Sequence, residues 1–136
     1  MIKRKGLKTI AALELLTGTG IILFWIGFFT IGLAPENPPP CYFAYEYSFP
    51  LPDIILSIAT FASGILLLQN RESGRILSLV CAGGLMFLGV LDFSFNIQNG
   101  MYMFSMLDLV LNAFINVWCV GFGAAIAVLL GRKPVA

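Results

Sequence analysis

Seven carboxylates hold most of the acid–base and cation-binding chemistry of this chain, which contains no histidine. Five of them, Glu36, Glu46, Asp53, Asp92 and Asp108, fall in or beside two stretches, Ala34 to Leu51 and Phe93 to Ser105, that contain no Lys or Arg. With no cation nearby in sequence, such acids suit a hard ion such as Ca²⁺, Mg²⁺ or Na⁺, or a proton; the softer metals that prefer imidazole have no ligand here. Asp108, Asn112 and Asn116 recur at i, i+4, i+8, which sets one polar stripe along a helix. Asp53, Ser57, Thr60 and Gly64 make a second stripe, and Ala82, Gly89, Asp92 and Asn96 a third. A fourth joins Glu14, Thr17, Gly18 and Trp25. Stripes of this kind face protein or water rather than lipid, because an intramembrane polar group without a partner is costly.

Two readings follow. The stripes are helix-packing faces, since small and amide side chains hold membrane helices together. Alternatively, Asp53, Asp92, Asn96, Asp108, Asn112 and Asn116 line a cavity open to the outside that binds a cation or small ligand. Asp92 is the most telling, six residues or about 9 Å inside the expected end of its helix. Ser105-Met-Leu-Asp108 fits a capping pattern, which gives Asp108 a local role as well. Asp53 stands at a helix start behind Pro52, where capping is again an alternative. Glu14, set among Leu13, Leu15 and Leu16, is a candidate for proton coupling; the alternative is snorkelling to Lys8 or Arg132.

The elements that must carry these residues are membrane helices. Hydrophobic residues make up 59% of the chain and charged residues only 11%, well below the roughly 25% charged of soluble domains. Four apolar runs, at about 7–33, 52–69, 75–98 and 105–130, each approach the roughly 20 residues that cross a bilayer. The first is too long for the core of a cleaved signal peptide. Backbone groups in lipid must pair within their own segment, so helices are expected. The expectation is an all-α, integral membrane, up-down four-helix transmembrane bundle forming a single domain over residues 1–136.

All eight Lys and Arg residues (Lys3, Arg4, Lys5, Lys8, Arg71, Arg75, Arg132 and Lys133) flank the same ends of these runs. Because Lys and Arg concentrate in cytoplasmic flanks, both termini are expected in the cytoplasm of a multi-pass cell-membrane protein. The loop bearing Pro38, Pro39 and Pro40, then Tyr42, Phe43, Tyr45, Tyr47 and Phe49, is expected to lie along the membrane as an aromatic belt, with a ligand-capping lid as the alternative. Trp25 and Trp118 lie too deep for such a belt; each is expected to fill the bundle and find an N–H acceptor.

Cys41, Cys81 and Cys119 form no C-x-x-C pair. The latter two read as packing residues, while Cys41, on the outer side, is open to an intermolecular disulfide. No nucleophile–base pair, phosphate-cradling loop or metal-ligand spacing appears, so neither enzymatic activity nor a cofactor is expected. The partners expected are the lipid bilayer and a homo-oligomer or membrane partner protein, with no nucleic acid. Four short spans with a Glu in the first third of the first resemble the small multidrug transporters. Dual-topology members of that family lack a strong charge bias, whereas this chain is strictly polarised, and the outer acids have no counterpart there. A cation- or proton-linked carrier, or a ligand-binding membrane protein, is the expected function; the alternative is a non-transporting subunit packed against a larger partner.

Overall fold

The computed structural model describes residues 4–132, apart from the Arg4 side chain; the expected basic flanks Lys3 and Lys133 lie outside the described residues. The described chain is all-helical, with four segments long and apolar enough to cross a membrane. Helix α1 spans Arg4–Thr30, α2 Tyr42–Glu46, α3 Pro50–Leu68, α4 Glu72–Gln98 and α5 Met106–Gly131, with a 3-10 turn at Met101–Met103.

The ends follow local chemistry. Helix α1 stops three residues before the expected Leu33, and Pro35 is not the cause. Gly32 adopts a left-handed φ of 79° and donates back to the Gly27 carbonyl at 3.2 Å, closing the helix there. Helix α3 starts at Pro50, two residues before the expected Pro52, because a proline costs no hydrogen bond in a first turn. Helix α4 takes in Glu72, three residues before the expected start, where a carboxylate complements the helix dipole. It ends at Gln98 as expected, with Gly100 left-handed just beyond. Ser105 caps α5 by accepting from the Asp108 N–H at 3.0 Å.

The helices pack α1 on α3, α3 on α4 and α4 on α5, while α1 and α5 make little direct contact. One apolar core lies toward the end that carries the described Lys and Arg residues. It includes Leu7, Ala11, Leu67, Ala82, Ile126 and Leu130. A second core, around Trp25, Phe28, Tyr42 and Met101, closes the opposite, acidic end. Arg75 ties the basic end together, pairing with Glu72 and donating to the Leu130 carbonyl at 3.0 Å. Glycines permit close approach where backbones cross. A Cβ on Gly123 would stand 2.8 Å from the Ala82 carbonyl oxygen, whereas one on Gly121 would meet nothing within 4 Å.

Gly123→Ala should therefore lower the thermal stability of the detergent-solubilised protein by about 1–3 kcal/mol, because the α4 backbone must move. Gly121→Ala should be neutral or stabilise by up to about 1 kcal/mol through helix propensity. Equal effects in thermal unfolding would contradict this packing.

Candidate functional site

The four polar stripes point inward. Asp53, Ser57, Thr60, Glu14, Thr17, Asn96 and Asn116 are all buried, and Asp92 and Asn112 are partly so. Their partners divide them into two groups. On α3, Ser57 donates across to the Gly18 carbonyl at 2.8 Å, while Thr60 and Ser63 donate to carbonyls of their own helix. These hydroxyls serve helix packing.

The other group surrounds a cavity. Because α1 and α5 stand apart, a space of about 610 Å³ lies between them, backed by α4 and reaching the α3 entrance. That size falls within the roughly 300–1,000 Å³ of small-molecule sites. Leu16, Leu23 and Phe114 line the cavity and are exposed on the outer faces of their helices, so it opens sideways between α1 and α5. Trp25 and Trp118 contribute indole walls, and Asp53, Asp92, Glu46, Asn112 and Asn116 contribute polar groups; no Lys or Arg among the described residues lines it. The remaining lining is mostly aliphatic and aromatic, including Ile21, Phe24, Leu88 and Ile115.

Neutral donors hold two of the three carboxylates. Trp25 Nε1 donates to Asp53 Oδ2 at 2.8 Å. Tyr45 Oη and Asn96 Nδ2 each donate to Asp92, both at 3.2 Å. Asp53, Asp92 and Glu46 are close enough to repel one another when charged. The α1–α5 gap is bridged at Thr17, whose hydroxyl accepts from Trp118 Nε1 at 3.0 Å and donates to the Leu13 carbonyl at 2.7 Å. Both tryptophans thus have the N–H acceptors expected of them.

Asn116 is only 2% exposed, and its Nδ2 donates to the Tyr102 hydroxyl. Its Oδ1 is buried without a hydrogen-bond partner. Turning the amide over would leave the nitrogen unpaired instead, so one end of this cavity-lining group awaits a partner.

Of the residues singled out in the sequence, the cavity brings together Asp53, Asp92, Asn112 and Asn116. Asn96 stands behind it as the donor that holds Asp92. Asp108 is not among the lining residues; its carboxylate meets Ser105 Oγ at 2.5 Å in the α5 cap. Glu14 is also outside the lining and is fully buried, so it does not snorkel to Lys8 or Arg132; the ion pair among the described residues is Arg75–Glu72. The expected surface belt divides in two. Tyr42 and Tyr45 turn inward, Tyr45 stacking on Phe95 at 3.7 Å, whereas Phe43 and Tyr47 remain exposed. Helix α2 is thereby folded onto the bundle, and it delivers Glu46, a lining residue that the stripe periodicity could not identify because it lies outside the long helices.

No family model, curated protein or solved structure matches the chain.

Trp25→Phe removes the donor to a buried carboxylate and should cost about 1–3 kcal/mol in thermal unfolding. Trp118→Phe should cost less, since Thr17 keeps its bond to Leu13. The reverse order would show that the Asp53 contact does not organise the site.

Proposed function

We propose that this chain is a multi-pass membrane protein, with both termini cytoplasmic, that binds and carries a small amphipathic organic cation through the α1–α5 cavity. The observation that carries this reading is the pairing of opposites in one space. Three carboxylates and an unpaired amide oxygen lie at the polar side of an otherwise apolar cavity that two indoles wall and that no described basic residue enters. A hydrocarbon body suits the Leu and Phe lining, and a cationic head suits the acids and the indole faces. An N–H on that head would also satisfy Asn116 Oδ1. The sideways mouth supports loading from the membrane, where an amphipathic ligand concentrates.

Dodecylammonium, dodecanol and dodecanoate share one tail and differ in head charge. Titrated into nanodisc-held protein, the amine should change tryptophan fluorescence saturably, and the alcohol and carboxylate should not. Asp92→Asn and Asp53→Asn should each weaken the amine about tenfold or more, as a charge-assisted contact contributes about 1.5–3 kcal/mol. Equal binding of all three tails would sink the cation reading. Absence of any saturable binding would favour the non-transporting subunit.

Orientation has its own test. Cys41 is exposed in the segment between α1 and α2, whereas Cys81 and Cys119 are buried. A membrane-impermeant maleimide should label Cys41 on intact cells. Labelling only after permeabilisation would reverse the topology.

A further inference from the structure

The cavity between α1 and α5 is polarised along its length. Its three carboxylates stand toward the acidic end, where Trp25 holds Asp53. Toward the basic end the walls become apolar, with Leu16 and Gly20 from α1, Leu88 from α4 and Ile115 from α5. The space then stops at one side chain. Trp118 Nε1 donates to the Thr17 hydroxyl at 3.0 Å, so the indole reaches from α5 across the seam to α1. Phe114 and Phe122 stack on the same ring, at 6.2 and 5.1 Å between centroids, and hold it in that position.

Beyond the ring the seam opens again. A second space of about 560 Å³, lined by apolar side chains and Gly121, includes Leu13, one turn of α1 past Thr17, and Phe122, one turn of α5 past Trp118. Trp118 borders both spaces, which makes its indole the partition between them. The depth above this partition follows from α1. Thr17 and Trp25 are eight residues apart, or about 12 Å at 1.5 Å per residue. An extended chain advances about 1.2 Å per bond, so the enclosed part of a tail is about ten carbons long. A charged head placed at the Trp118 end would lose its counter-charges among apolar walls, which fixes the direction of the ligand.

We propose, building on the organic-cation reading above, that Trp118 sets the length of the ligand. The ammonium head lies beside Asp53 and Asp92, and one unbranched alkyl chain runs toward the basic end. Its terminal methyl rests on the Trp118 indole. The substrate class is thus a single-chain amine of about ten to twelve carbons. A longer chain has to bend out between Leu16 and Phe114 toward the lipid.

Dodecylammonium and hexadecylammonium test this when compared at equal mole fraction in nanodisc lipid, where tails leave one apolar medium for another and length alone adds little. The wild type should bind the longer amine about tenfold more weakly, as expected for a chain forced into a filled space. Trp118→Ala joins the two spaces and should abolish that preference. A second readout needs no variant. In the wild type, nuclear Overhauser contacts should connect the terminal methyl of dodecylammonium to the Trp118 ring and its head-group methylene to the Trp25 ring. Equal binding of the two amines to the wild type, a terminal methyl beside Trp25, or a preference undiminished in folded Trp118→Ala would overturn the proposal and leave the cation reading standing. Absence of saturable binding by both amines would remove the cation reading and this proposal with it.

Discussion

The structure depends on one electrostatic constraint: the acidic end must bury carboxylates without the help of a basic side chain. Among the described residues no Lys or Arg stands at this end to compensate the charge, since each of them flanks the other end. Two of these carboxylates are held instead by neutral donors, an indole for Asp53 and a phenol with an amide for Asp92. Each of these bonds crosses between elements or braces one that does. Trp25 joins α1 to α3, and Tyr45 joins α2 to α4. The fold at this end is the arrangement that brings those donors to those acids.

That arrangement leaves the site with an excess of acceptors. Neutral donors orient a carboxylate but do not cancel its charge, so three acids remain near one another around an apolar space. The open seam between α1 and α5 is where a compensating group can arrive. The wide seam and the narrow Thr17–Trp118 bridge beside it give the cavity an opening and a limit.

Much of this was legible in the sequence, and the reasons for success and failure are physical. Helical periodicity placed Asp53, Asp92, Asn112 and Asn116 on inward faces, because a period of 3.6 residues survives any tertiary detail. The Ser105 cap was equally readable, being local. Periodicity could not say that Asp108 would be absorbed by that cap while Asn112 and Asn116, one and two turns on, reached the cavity. Nor could it foresee the inward turn of Tyr42 and Tyr45, since the amphipathic ring that suits a membrane surface also suits a buried carboxylate with an unmet hydrogen bond. The hydroxyls beside the buried Glu14, those of Ser63 and Ser78, stand on α3 and α4, 49 and 64 residues along the chain. No local pattern links residues so far apart.

The central claim is that a cationic head group completes the acidic end of the α1–α5 cavity. The two indole N–H groups report on it separately, one bonded to Asp53 and one to Thr17. Their ¹⁵N–¹H resonances, followed during titration with dodecylammonium, give the most direct measurement. Both signals should shift along one saturation curve with a shared Kd, and the Trp25 response should be lost in Asp53→Asn. Two resonances that stay fixed while the amine partitions into the surrounding lipid would contradict the account.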